Sequence, residues 1–303
     1  AEAVLRADEA RVTLRLLSLL SSPETSIDEI LLMGAHVDVV RRADGSWNYD
    51  DIGADDGKPS TFEGRIRLAD ATANVDTNGN VYDLRAITGT VDIDRSDVSY
   101  DLAGALSGVP LRVRGVYVGG TQELQLTSSN TDFMPLLHLL PDNSLPEELR
   151  VESLHADSLR MEMRRADGVM TLDGRVNGVQ GTADVYGTQM RLESAALRFN
   201  ERTLFVAATA KAEEQKARVD GTIRLDADEP YLDLCVTAAD FAVDRVLTDS
   251  AYTGSVTADV HVTGTLAALM AEGHLSTAAG AVNEVAFQNA AADVSYADGM
   301  LSF

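Results

Sequence analysis

The period of the apolar residues constrains this chain more than any other feature. From Phe62 onward nearly every apolar run alternates with polar positions. The runs are Ile66/Leu68, Val91/Ile93, Val98/Tyr100/Leu102, Leu124/Leu126, Leu172/Val176, Leu197/Phe199, Ile223/Leu225, Leu232/Leu234, Val256/Val260/Val262 and Val294/Tyr296. A period of two belongs to strands with one buried face. Turn residues separate neighbouring runs, among them Asn78-Gly79 and Asp298-Gly299, and Asx-Gly pairs favour tight hairpins. Strands recurring every ten to twelve residues point to antiparallel all-β structure rather than βαβ units.

The opening unit has the same grammar. Val37 and Val39 alternate, Asp44-Gly45 closes the strand with turn chemistry, and the single tryptophan, Trp47, follows. The five residues Arg-Arg-Ala-Asp-Gly of 41–45 recur at 164–168, after Leu159, Met161 and Met163. Asp132-Phe133 and Asp240-Phe241 stand 108 positions apart, and each pair follows a Leu-x-Leu strand. Leu197/Phe199 echoes Val98/Tyr100 at 99 positions, and Val294/Tyr296 echoes Leu197/Phe199 at 97. Gly174 and Gly181 recur as Gly273 and Gly280. A spacing near one hundred is a degenerate internal repeat. The organisation expected is an entry unit over 1–60, repeats over 61–150 and 151–250, and the start of another over 251–303. Short helices are expected near 14–21, where leucines cluster before Pro23, near 133–140 between Thr131 and Pro141, and near 241–247. Residues 54–60 read as a polar loop.

Charge and composition narrow the function. The 303 residues carry a net charge of −23 with a pI near 4.4, which argues against nucleic acid as a partner and against attraction of the whole chain to an anionic membrane. Aromatics make up only 5%, so the apolar face is aliphatic. One cysteine, Cys235, excludes a disulfide within the chain and reads as a small buried residue. The longest charge-free window, Val260 to Ala271, is too short to span a bilayer, and the chain opens on Ala1. A membrane anchor or signal is therefore expected upstream of residue 1.

No catalytic constellation stands out. The histidines His36, His138, His155, His261 and His274 lack metal-ligand spacing, and they read as surface or structural residues. No nucleophile elbow, phosphate loop or dinucleotide fingerprint is present. The acidic pairs Asp50-Asp51 and Asp55-Asp56 lack the loop of a calcium site. The chain is read as a non-enzyme with no cofactor and no metal.

What remains is an aliphatic face repeated over many strands. It is either the core of sandwiches or barrels, or the lining of a long apolar groove, and the alternation by itself fits both. The candidate lining is Val37, Val39, Val91, Ile93, Val98, Tyr100, Leu124, Leu126, Val176, Leu197, Phe199, Ile223, Leu225, Leu232, Leu234, Val256, Val260, Val262, Val294 and Tyr296.

Several stretches resemble the TamB and wider AsmA-like family. They are Leu5 to Val12, the leucine-rich stretch that follows, Ile30 to Val40, and Arg41-Arg42-Ala43-Asp44-Gly45-Ser46-Trp47-Asn48. Val260 to Leu266 with Glu272 to Leu275 is similar to the family's strand, Gly-Thr-Leu, strand link, although Leu269-Met270 replaces the proline usual there. The resemblance implies an elongated antiparallel sheet folded into an open, U-shaped groove with a greasy concave face. It implies a periplasmic, envelope location, anchored in the inner membrane. It also implies an outer-membrane β-barrel partner of the TamA or BamA kind, contacted through a C-terminal part outside this chain. The function it implies is a passive phospholipid conduit between membranes, with acyl chains as the bound partner. Three rivals remain: an assembly factor for outer-membrane β-barrel and autotransporter proteins, an extracellular β-solenoid adhesin, and a β-rich carbohydrate enzyme, which the low aromatic content disfavours.

Overall fold

The computed structural model describes residues 4–15, 27–42, 44–48, 63–77, 80–137, 149–185, 187–212, 215–225, 229–242, 252–265, 267–283, 285–297 and 300–302. The fold is all-β: the strands form a mostly antiparallel, open sheet that does not close into a barrel. Backbone contacts divide the chain into two units. One is Ala1–Thr131 with Pro135–Leu140 and Arg160–Thr171, and the other is Asp132–Met134 with Pro141–Leu159 and Leu172–Phe303.

The first unit holds β1 (Leu5–Arg6), β2 (Glu9–Leu14), β3 (Ile27–Met33), β4 (His36–Arg41), β5 (Glu63–Thr77), β6 (Asn80–Asp94), β7 (Asp97–Leu106) and β8 (Val109–Val118), with nearly all of β9 (Thr121–Asp132). β3 and β4 run parallel to β5, and the hairpins from β5 onward are antiparallel. The division falls within β10 (Leu149–Ala166) and β11 (Val169–Val185). The second unit continues with β12 (Thr188–Asn200), β13 (Thr203–Ala212), β14 (Gln215–Arg224), β15 (Tyr231–Ala242), β16 (Tyr252–Thr265), β17 (Ala268–Val282), β18 (Val285–Ala297) and β19 (Met300–Ser302). From β11 to β19 each strand pairs antiparallel with the next.

Among the described residues helix is confined to one short stretch. The described residues hold one helical turn, α1 (Met134–Leu137), capped by the Asp132 side chain, which accepts from the Met134 amide at 2.9 Å. Residues 138–140 of the expected 133–140 helix lie outside the described residues. Leu14 belongs to β2, and 16–21 lie outside them. Phe241 and Ala242 end β15 as strand, and 243–247 lie outside them. Between Ala238 and Phe241 the β15–β16 ladder skips a residue, so Phe241 stays in the strand past a bulge.

The two copies of Arg-Arg-Ala-Asp-Gly both end strands in turns. Asp167 and Gly168 join β10 to β11 with φ of 52° and 77°, the left-handed conformations of a tight hairpin. In the first copy Asp44 Oδ1 accepts from the Ser46 amide at 2.9 Å, Gly45 has φ of 87°, and Trp47 folds back to bridge Arg41.

One feature holds the apolar face on a single side. In β5 and β6 the partners run Leu68↔Gly89, Ala71↔Ile87 and Ala73↔Leu84, so an extra residue enters β5 and then another enters β6. Each insertion changes which members of the alternation face one side. The apolar set moves from even Ile66 and Leu68 to odd Ala71, Ala73 and Val75 without leaving its face. The same double bulge recurs in β11 and β12 as Val176↔Leu197, Val179↔Ala195 and Gly181↔Leu192, each residue 108 positions after its counterpart. Gly178, with φ of 62°, sits at the second of these breaks, and Gly34, with φ of 58°, sits between β3 and β4. A methyl group on either would collide with the carboxylate of Asp8 or Asp157 respectively.

Several of the buried residues lie at these breaks. Among the described residues the fully buried apolar side chains are Ala35, Ala71, Val109, Ala156, Val179, Ala195 and Ala212. Ala35 follows Gly34, Ala71 follows Asp70 and Val179 follows Gly178. In the second unit Ala156, Val179 and Ala195 pack with Phe133, Leu154, Val176, Leu192 and Ala208. Bulged strands bend, and small side chains let the bent strands pack closely. Ala195→Leu should therefore overpack this line and lower stability by about 1–3 kcal/mol. Ala196→Leu, one residue along on the exposed face, should change it by less than about 0.5 kcal/mol. Denaturant midpoints of the two variants check this.

Candidate functional site

The candidate site is the apolar face, and cross-strand register shows how it is assembled. Directly paired residues share a face. In the first unit one row runs Val12, Ile30, Ile66, Val91, Tyr100, Gly115, Leu124. The next runs Leu32, Leu68, Gly89, Leu102, Val113, Leu126. Ile93 and Val98 pair one step further out. Beyond the bulge, Val37 pairs with Ala73 and Val39 with Val75. Tyr100 lies over Gly115, whose absent side chain leaves the space that the ring fills.

In the second unit the first row runs Val176, Leu197, Val206, Gly221, Leu234, Val262, Ala271, Tyr296. A second runs Phe199, Leu204, Ile223, Leu232, Gly264, and a third runs Ala208, Val219, Val236, Val260, Gly273, Val294. Val256 pairs with Phe241 past the bulge. Leu225 lies one residue beyond β14 and is exposed, as is Tyr296. The other candidate residues are half-buried, neither enclosed nor free.

Register also adds Ile30, Leu32, Leu102, Val113, Val206, Val219 and Val236 to the face. The signal for them was the same alternation, but a partner strand is needed to align one run with another. Cys235 corrects an expectation. It is exposed on the opposite face, between Asp220 and His261, because Leu234 and Val236 hold the apolar positions of β15.

The opposite face is a lattice of ion pairs. Arg65 Nε meets Asp92 Oδ1 at 2.7 Å, directly across the β5–β6 ladder. Asp101 accepts from Arg112 at 2.7 Å and from Arg114 at 3.0 Å, and Arg112 above all holds its carboxyl down to about 2. Arg218 pairs with Asp220, and His261 Nε2 lies 2.6 Å from Asp233 Oδ1. These groups are solvent-exposed, so each pair adds little to stability. A hollow of about 570 Å³ in the first unit is lined largely by such groups, including Arg15, Asp28, Glu63, Arg65 and Asp97. Among the described residues no three metal-ligating side chains gather.

The chain matches no protein-family model, no curated protein and no solved structure.

A half-buried face tolerates a long charged side chain whose head reaches water, whereas an enclosed core does not. Leu234→Arg and Leu126→Arg should each cost under about 1.5 kcal/mol, near the middle of the range for single changes. Loss of the folded transition in both, followed by thermal melting, would show that the face is an ordinary core.

Proposed function

We propose that this chain carries lipid acyl chains along its apolar face, as a passive phospholipid conduit in the cell envelope. The observation that carries the reading is the continuity of the aliphatic rows. In the second unit a single row crosses from β11 to β18, with half-buried side chains along most of its length. The aliphatic side chains of that row, up to Tyr296 at its end, offer no hydrogen bond, so an acyl chain meets a similar wall at each strand. Moving it into water costs about 0.8 kcal/mol per CH₂, or roughly 12 kcal/mol for a sixteen-carbon chain. A continuous wall lowers that barrier at each step, and no catalytic group is required. The headgroup stays in water, and the charged lattice of the other face keeps the protein soluble there.

The resemblance of Leu5 to Asn48 to the TamB and AsmA-like family supports the same reading. On it, the protein sits in the periplasm, anchored in the inner membrane upstream of residue 1, and reaches a β-barrel partner of the TamA or BamA kind through a part beyond this chain.

Photo-crosslinking tests the conduit directly, because neighbours in a strand point to opposite faces. A photoreactive residue at Leu126 or Leu234 should capture phospholipid in membrane-containing extracts, and one at Gln125 or Asp233 should not. Equal capture at all four positions, or capture at none, would overturn the proposal.

A further inference from the structure

The second unit distributes its positive charge unevenly. Arg175 on β11 lies directly across from Arg198 on β12. Like charges so placed repel and weaken a ladder. The chain carries 48 acids against 25 bases, so carboxylates are plentiful. Lys216 and Arg218, further along the same face, find theirs in Glu193 and Asp220. Neither Arg175 nor Arg198 reaches one among the described residues. Arg198 stacks instead on Phe205 at 4.7 Å, and Arg224 stacks on Tyr231 at 4.5 Å. Asp173, the nearest acid on β11, takes the Asn200 amide at 3.0 Å.

These groups share one face: Arg198, Phe205, Arg224 and Tyr231 lie near one end of β12 to β15, and Arg175 lies within β11 across from Arg198. Register places Arg175, Arg198, Phe205, Thr222 and Asp233 in one row, with Asp173, Asn200, Thr203, Arg224 and Tyr231 in the next; Asp233 lies against His261 and Asp173 takes the Asn200 amide. Arg224 is the last residue of β14, and Leu225 just beyond it is 47% exposed. Its amide donates to the Arg202 carbonyl at 2.7 Å, which brings that turn alongside. Phe205 is 37% exposed. Two arginines held in place on aromatic rings, beside the exposed Leu225, match the boundary of a bilayer, where apolar bodies enter and charged heads meet phosphate.

We infer that this end of the second unit docks on an anionic phospholipid surface, with Arg175, Arg198 and Arg224 on the headgroup phosphates and Leu225 in the boundary layer. Choosing a lipid rests on the conduit reading, although the arginine geometry does not. The net charge of −23 repels such a surface at long range, but salt screens that repulsion beyond about 10 Å and leaves the local contact.

Vesicle flotation of the purified chain tests this. The protein should float with phosphatidylcholine vesicles that contain phosphatidylglycerol, not with phosphatidylcholine alone, and high salt should release it. Arg175→Gln and Arg198→Gln should each lower the partition about fivefold, the factor equivalent to ~1 kcal/mol per basic side chain at an anionic surface. Arg191→Gln, an equal loss of charge at the far end of β12, should leave it unchanged. Equal binding to neutral vesicles, an equal loss in Arg191→Gln, or saturation by inorganic phosphate without flotation would each overturn the docking surface. Crosslinks at Leu126 and Leu234 that survive such a failure would spare the conduit, and flotation that survives loss of the crosslinks would spare the docking surface.

Discussion

A strand shows its side chains alternately to two faces, so a sheet stays apolar on one side only while every strand keeps phase with its neighbours. The rest of this structure depends on that constraint. The strands bend at bulges, each inserted residue breaks the phase, and the sequence answers by shifting its apolar set by one position. Leu68 passes to Ala71 and Val176 to Val179, and the face continues on both sides of the break. A single shift on one strand would have sent its apolar residues into the charged lattice. The second insertion, on the partner strand, restores the register at Ala73↔Leu84 and Gly181↔Leu192.

Stability follows from the same arrangement. Among the described residues the enclosed apolar side chains are few and small, with alanine predominating, and several lie at the bulges. The ion pairs are exposed and weak. The backbone ladder and the partial burial of aliphatic side chains along each row therefore carry the fold, a distributed source of stability that leaves long stretches of apolar surface within reach of a ligand. A protein with one compact core would place its binding site apart from it. Here the surface that supports the fold is the same surface proposed to hold lipid.

Much of this was legible in the sequence. Alternation gave the strand content and identified which residues of each run lie together, and Asp132 and Asp240 carried the 108-residue spacing that the double bulge repeats. The bulges themselves were hidden. Leu68-Ala69-Asp70-Ala71-Thr72-Ala73 reads as weakened alternation, and nothing in residue type announces Ala86 with φ of 52°. The bulge between Ala238 and Phe241 was likewise hidden. Cys235 could have been placed outward, because Leu234 and Val236 already defined the inner positions of its strand. The facing arginines Arg175 and Arg198 of β11 and β12 depended on register, which no single run of sequence supplies.

The central claim is that the apolar face is occupied by acyl chains rather than by protein. Native mass spectrometry of the chain, purified from a membrane-containing host without delipidation, tests it most directly. The account predicts a monomer carrying phospholipid, with the added mass lost on collisional activation and absent from the Leu126→Arg, Leu234→Arg double variant. A lipid-free chain at twice the monomer mass would contradict it, because the apolar face would then be buried against a second copy.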